Sequence, residues 1–298
     1  MGGIEIVVGE DDSFTREVAK ELGAEFVLLE THSFPDGELR PRVHGIEGVA
    51  GKKVALVLRK GLEEDPNKYL MNFLLTAHTL KRAKCAELTG VMPYLVYARQ
   101  DKEFREGEPV SVDYLASQFE SLLDRFVTVS SHFQREQGQL KRFRLDSFNV
   151  DGFTALKDVF QERQDNWFFL APDIGGVPLA KQLGKDFGVE FGYLEKIRNK
   201  ETGFIEIKQK ALNVITGKNV VIVDDMVSTG GTLVHAVNHA KKFNPASISL
   251  AFVHGVFAPG SLDKLKALDV ALYYTDTVKD NGANVSVAEK IAKTLSKD

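Results

Sequence analysis

Four apolar residues, Val220-Val221-Ile222-Val223, run into two carboxylates, Asp224 and Asp225, and then through Met226 and Val227 into Ser228-Thr229-Gly230-Gly231-Thr232, with helical sequence following from Leu233. The chemistry these types support is anion binding. Glycines let backbone N–H groups come close to an oxyanion, the hydroxyls donate further bonds, and a helix N-terminus adds the positive end of its dipole. A phosphate monoester suits such a cradle, with Asp224 and Asp225 placed to accept from the ring hydroxyls of a sugar or to hold Mg²⁺. Adjacent side chains of a strand face opposite ways, so the two acids are expected to share one ligand only where the chain turns out of its sheet. The segment is not a Walker A loop, because no Gly-x-x-x-x-Gly-Lys precedes the hydroxyl.

Other apolar runs also end in chemically useful residues. Arg99 and Lys102, with Gln100 between them, follow the run that ends near Tyr97 and can neutralise a triphosphate; alone they read as a solvated charged loop. Lys196 and Arg198 follow Val189–Tyr193. Two cations on a movable loop suit phosphoryl-type transfer, which needs alignment and charge stabilisation, and their plainer alternative is a basic surface hairpin. Phe34-Pro35-Asp36-Gly37-Glu38 offers a stacking face and two acceptors for an exocyclic amine, while Pro-Asp-Gly by itself is turn sequence. His132 follows Phe126–Val129, and Pro172-Asp173-Ile174-Gly175-Gly176-Val177 follows Trp167–Ala171. No role is assigned to His32, His44, His78, His235, His239 or His254. No His/Cys cluster has zinc spacing and no Ser-His-Asp arrangement stands out, which leaves Mg²⁺ as the expected metal.

Elements that could position these residues recur along the chain. Apolar, β-branched runs at Ile4–Val8, Phe26–Leu29, Val54–Leu58, Leu88–Met92 and Phe126–Val129 read as buried parallel strands. Between them, Phe14, Val18 and Leu22 share a helical face that Gly23 can end, Asp65-Pro66 opens a helix running towards Lys84, and Ser111 is expected to cap another. The scheme repeats with runs at Trp167–Ala171, Val189–Tyr193, Val220–Val223, Ile248–Val253 and Val270–Tyr274, separated by helical stretches near 175–187, 232–243 and 261–268. Two doubly wound α/β domains are expected, 1–149 and 150–298, with ligands beyond the carboxyl ends of the strands.

The totals agree with that division. A chain of 298 residues exceeds one usual core, and 43% hydrophobic with 27% charged residues is ordinary globular composition. A net charge of -4 offers no general attraction to nucleic acid. No apolar run reaches the ~20 residues of a membrane span. The single cysteine, Cys85, can form no internal disulfide. With strand-like sequence beginning almost at once and no basic-then-apolar leader, the expected location is the cytoplasm.

Asp224–Thr232 closely resembles the ribose-phosphate binding signature shared by phosphoribosyltransferases and ribose-phosphate diphosphokinases. Phe34–Glu38 resembles the adenine-recognition loop of the diphosphokinases, Tyr97-Ala98-Arg99-Gln100-Asp101-Lys102 their ATP-binding segment, and Pro172–Val177 their second ribose-site loop. Lys196 with Arg198 resembles their basic catalytic pair. This set, spread over nearly the whole chain, is not one that transferases normally carry, and the sequence is identified as a member of the ribose-phosphate diphosphokinase family. The resemblance implies two phosphoribosyltransferase-type domains and attack of the sugar's anomeric hydroxyl on the β-phosphorus of MgATP, releasing AMP. It implies ATP at Phe34, Asp36, Glu38, Arg99, Gln100, Lys102 and His132. Ribose 5-phosphate would lie at Asp173, Asp224, Asp225, Ser228, Thr229, Gly230, Gly231 and Thr232, and Mg²⁺ at His132 and Asp173. A homo-oligomer built on a dimer is also implied, with the adenine loop of one subunit serving its neighbour's site. One departure is Ser130, where the family commonly has an acid two places before the histidine.

Two other functions compete. A transferase that consumes the diphosphate would need no ATP, against which Phe34–Glu38 and Arg99–Lys102 speak. A non-catalytic regulatory relative fits the altered surroundings of His132, yet Lys196, Arg198, Asp224 and Asp225 are all present.

Overall fold

The computed structural model describes residues 3–134, 136–161, 166–198, 205–209, 212–280 and 282–297, without side-chain detail over 195–213. The strands of the first half are β1 (Ile6–Gly9), β2 (Glu25–Ser33), β3 (Leu39–Val43), β4 (Lys53–Val57), β5 (Glu87–Val91), β6 (Arg125–Val129), β7 (Gly138–Gln139) and β8 (Asp146–Val150). They form one sheet in the order β3-β2-β1-β4-β5-β6-β8-β7, parallel except where β3 and β7 pair antiparallel at the edges. Helices α1 (Ser13–Leu22), α2 (Pro66–Arg82) and α3 (Ser111–Leu122) alternate with the strands.

Local chemistry explains the helix ends. Asp12 accepts from the N–H of Thr15 at 2.8 Å and Gly23, at φ 62°, closes α1; Asp65 caps α2 just before Pro66. Ser111 is not a cap. It is the first residue of α3, and its hydroxyl donates to Gln100 instead. The β2–β3 hairpin was not foreseen, since β2 runs on past its apolar start through polar residues that only an edge ribbon accommodates.

The second half begins with α4 (Gly152–Gln161). There follow β9 (Trp167–Ala171), α5 (Val177–Phe187), β10 (Phe191–Arg198), β11 (Ile205–Gln209), β12 (Asn219–Val227), α6 (Gly231–Ala240), β13 (Ser247–Gly255), α7 (Ser261–Lys266) and β14 (Ala271–Thr275). The sheet order is β11-β10-β9-β12-β13-β14, parallel apart from β10–β11. Phe160, Trp167, Phe169, Leu183, Val221 and Val223 pack together in its core. Burial of such side chains is worth roughly 1.5–3 kcal/mol each.

The chain forms two compact units, one of 1–152 with 276–281 and 286–298, the other of 153–275 with 282–285. The C-terminal segment therefore belongs with the first unit, unlike the expected division. The cause is packing: the final helix α8 (Ala288–Leu295) buries Ile291, Ala292 and Leu295 and lies against α1. Arg59, ion-paired with Asp12 at 2.9 Å over the Phe14 ring, donates to the carbonyl of Asp276, and Lys279 pairs with Glu10. Among the described residues no helix is long and apolar enough to cross a membrane.

Candidate active site

β12 is the central strand of the second unit, and its length corrects one expectation. The chain does not leave the sheet at the acids: β12 continues to Val227, with Asp224 opposite Phe252 and Met226 opposite His254 of β13. Level with Asp225, β13 shifts register against β14 between Phe252 and His254. The N–H of Asp225 donates to Asp224 Oδ1 at 2.9 Å, and the carboxyls share a hydrogen bond. Burial, then the charge of Asp225 and, more weakly, that of Asp173 push the Asp224 carboxyl up to about 8. Asp173, after β9, accepts from the N–H of Gly176, where an added Cβ would lie 3.1 Å from the Ala171 Cβ.

The hydroxyl-and-glycine loop follows directly. Gly230 sits at φ 72° and opens α6, a backbone conformation that costs an ordinary residue roughly 1–2 kcal/mol. The loop is held by its carbonyls: Val227 O accepts from the N–H of Val256 at 2.9 Å and Ser228 O from that of Ala258 at 3.0 Å. Among the described residues, nothing accepts from the N–H groups of Thr229, Gly230, Gly231 and Thr232 or bonds the hydroxyls of Ser228, Thr229 and Thr232. A helix entrance with its donors unengaged beside crowded carboxylates can accept an anion that carries hydroxyls.

These carboxylates also fit a hard cation. Burial and mutual repulsion leave Asp224 short of its charge, and Mg²⁺ takes oxygen donors, typically one or two protein carboxylates with substrate phosphates and water. No group of three or more potential metal ligands occurs among the described residues.

The remaining expected residues lie elsewhere. Phe34–Glu38 is the connection of the β2–β3 hairpin, as its turn sequence requires. Phe34 N–H donates to Glu38 O, Gly37 N–H to Phe34 O at φ 95°, and Asp36 accepts from Glu38 N–H. Phe34 is 37% exposed, edge-on to His32 with Arg40 over its face, and Asp36 and Glu38 are exposed. β5 ends at Val91, and the loop after it carries exposed Arg99 and Lys102, with Gln100 tied to Ser111. His132 is half-buried just beyond β6. Ser130, at φ 39°, accepts from the N–H of Gly152 at 2.9 Å, so the residue that replaces the family's acid fastens the start of α4.

Lys196 and Arg198 are not in a loop. Their backbone belongs to β10, opposite Ile207 and Ile205 of β11, because alternation at Leu194, Ile205 and Ile207 favours a paired ribbon; their side chains lie outside the described residues. Sequence reasoning missed the stretch Gly255–Ser261 that holds loop 228–232. Its only signal was Ala258-Pro259-Gly260, a turn placed straight after an apolar run.

Fold and loop together define a two-domain α/β protein of the phosphoribosyltransferase type. A family model described as the N-terminal domain of ribose phosphate pyrophosphokinase matches residues 4–122, and one described as a phosphoribosyl transferase domain matches 150–292. The ribose-phosphate pyrophosphokinase of Methanobrevibacter smithii is 31% identical over 290 residues, 93% of this chain and 95% of that one. Ribose-phosphate pyrophosphokinase 2 of Archaeoglobus fulgidus is 35% identical over 283 residues, 94% and 95% of the two. In fold, the phosphoribosylpyrophosphate synthetase of Mycobacterium smegmatis matches 98% of this chain and 97% of its own with a TM-score of 0.83, at 23% identity. The chain belongs to the ribose-phosphate pyrophosphokinase family and is an enzyme of that family.

Proposed function

We propose that this enzyme transfers the diphosphoryl group of ATP to the anomeric hydroxyl of ribose 5-phosphate, giving 5-phosphoribosyl 1-diphosphate and AMP. The observation that carries the reading is the loop 228–232, whose unengaged N–H groups and hydroxyls stand beside Asp224 and Asp225. The 5-phosphate binds on Ser228, Thr229, Gly230, Gly231 and Thr232, and the ring hydroxyls donate to Asp224 and Asp225, with Asp173 alongside. The anomeric oxygen forms a bond to the β-phosphorus, the bond from that phosphorus to the bridging oxygen of the α-phosphate breaks, and AMP leaves with that oxygen. The hydroxyl proton passes to solvent.

ATP is held by Phe34 against the adenine, by Asp36 and Glu38 at its amine, by Arg99, Gln100 and Lys102, and by His132. Lys196 and Arg198 stabilise charge on the transferring group. His132 and Asp173 would hold Mg²⁺, which would supply neutralisation of the triphosphate. The enzyme works in the cytoplasm, for nucleotide biosynthesis, as a homo-oligomer built on a dimer whose sites combine residues of two subunits. Incubation with ribose 5-phosphate, ATP and Mg²⁺ should yield AMP and the sugar diphosphate in equal amounts. ADP formation, or turnover of ATP that does not depend on the sugar phosphate, would overturn the proposal.

A further inference from the structure

The strand that neighbours β12 does more than complete the sheet. Beyond β13 the chain turns back under the phosphate loop, and the N–H groups of Val256 and Ala258 donate to the carbonyls of Val227 and Ser228. These bonds tether the loop's backbone to the extension of β13, and by engaging carbonyls they leave its N–H groups for an anion. Two side chains fix this clip. Phe257, 5% exposed, stands edge-on to Phe252 and Tyr274, with ring centroids 5.8 and 5.4 Å away. Gly255 makes the fold-back possible, since a Cβ there would come within 2.7 Å of the Phe257 ring. Ser261, 1% exposed, donates its hydroxyl to Ala258 O at 2.6 Å and its N–H to the same carbonyl at 2.9 Å, closing the turn Ala258–Ser261. The far end of the loop rests on the same clip: a Cβ on Gly230 would lie 3.4 Å from Leu265 and 3.8 Å from Ser261 O.

We infer that Phe257 and Ser261 are positioning residues for the sugar-phosphate loop: they set its affinity for ribose 5-phosphate through the Val256 and Ala258 N–H groups without touching substrate. The inference rests on the proposed role of loop 228–232. A preorganised cradle binds an anion without first spending free energy on ordering its donors, and misplacement by about 1 Å is enough to cost large factors. The clip acts on one substrate only, so its loss should separate the two Michaelis constants.

The test is steady-state kinetics of the full-length protein with each substrate varied in turn. Loss of the Ser261 hydroxyl bond removes one ordinary hydrogen bond, so Ser261→Ala should raise KM for ribose 5-phosphate about fivefold. Phe257→Ala should raise it at least about tenfold and Phe257→Leu should restore most of the loss, with KM for ATP within about twofold throughout. Hydrogen exchange at the amides of 228–232 should quicken in step with KM. Ile248→Ala, at the opposite end of β13, is the control for general destabilisation and should leave both constants near wild type. Because Phe257→Ala removes a core ring and can fail to fold, Ser261→Ala and Phe257→Leu carry the test in that case. Unchanged KM for ribose 5-phosphate in folded variants, an equal rise in KM for ATP, or the same rise in Ile248→Ala would each overturn the inference. Gly230→Val separates the two levels. If that change leaves ribose 5-phosphate affinity intact, the loop has been given the wrong ligand; if it abolishes binding while the clip variants bind normally, only the clip is wrong.

Discussion

Asp224→Asn should make the protein more stable while removing its activity. In the folded chain the Asp224 carboxyl is pushed from 3.8 to about 8, by burial first and then by Asp225. Between those values the folded state keeps a proton that the unfolded chain has released, so stability falls as pH rises across that window. A shift of about four units corresponds to a ceiling of roughly 6 kcal/mol, fully expressed above pH 8. Water reaching the half-buried carboxyl screens the effect, and about half of it, ~3 kcal/mol, is the expected gain on removing the charge. Asparagine reproduces the protonated acid, since its carbonyl can accept from Asp225 N–H and its amide can donate to the Asp225 carboxylate.

The chain's single tryptophan, Trp167, is buried in the same unit as Asp224, so its emission during urea unfolding reads the relevant transition. The midpoint of Asp224→Asn should coincide with wild type near pH 4, rise above it progressively to pH 8, and hold a constant lead beyond. A variant no more stable than wild type at pH 8, or one whose lead does not change between pH 5 and 8, would refute the reasoning.

Gly230→Val should abolish ribose 5-phosphate binding by calorimetry and spare ATP binding, because a β-branched side chain is strained at φ 72° and would press on Leu265, displacing the loop's donors. Lys196→Ala and Arg198→Ala should each lower kcat by ~10²–10³ with small changes in either KM, as measured by initial rates, if the pair meets charge that develops only during transfer. Coexpression of Asp36→Ala with Lys196→Ala should restore activity to roughly a quarter of sites, since random pairing across a two-fold interface gives about half mixed dimers with one intact site each. Verified mixed oligomers as inactive as the separate variants would place the whole site in one chain.

Where local chemistry is self-sufficient, the sequence announced the structure. Gly23, Asp65-Pro66 and the apolar run Trp167–Ala171 each became the cap or strand their composition demands, and the loop at 228–232 opens α6 as its glycines require. What could not be read depends on partners distant in the chain. The polar half of β2 is a strand only because β3 pairs with it, and Lys196 and Arg198 stand in a strand because Ile205 and Ile207 lie opposite. The acids at 224 and 225 share a hydrogen bond although strand alternation would part them, and α8 joins the first unit because α1 offers it an apolar face. Phe257 and Ser261 look like ordinary residues after a strand, and their relation to loop 228–232 appears only once the N–H of Ala258 is seen donating to Ser228 O.

The central claim concerns which group moves. Reaction of the enzyme with ribose 5-phosphate, Mg²⁺ and ATP carrying distinct labels on its β- and γ-phosphates, followed by separation of the products, tests it directly. Both labels should arrive together on the sugar in a one-to-one ratio, with AMP unlabelled. Recovery of the β label in ADP, with the γ label alone on the sugar or free as phosphate, would contradict the account.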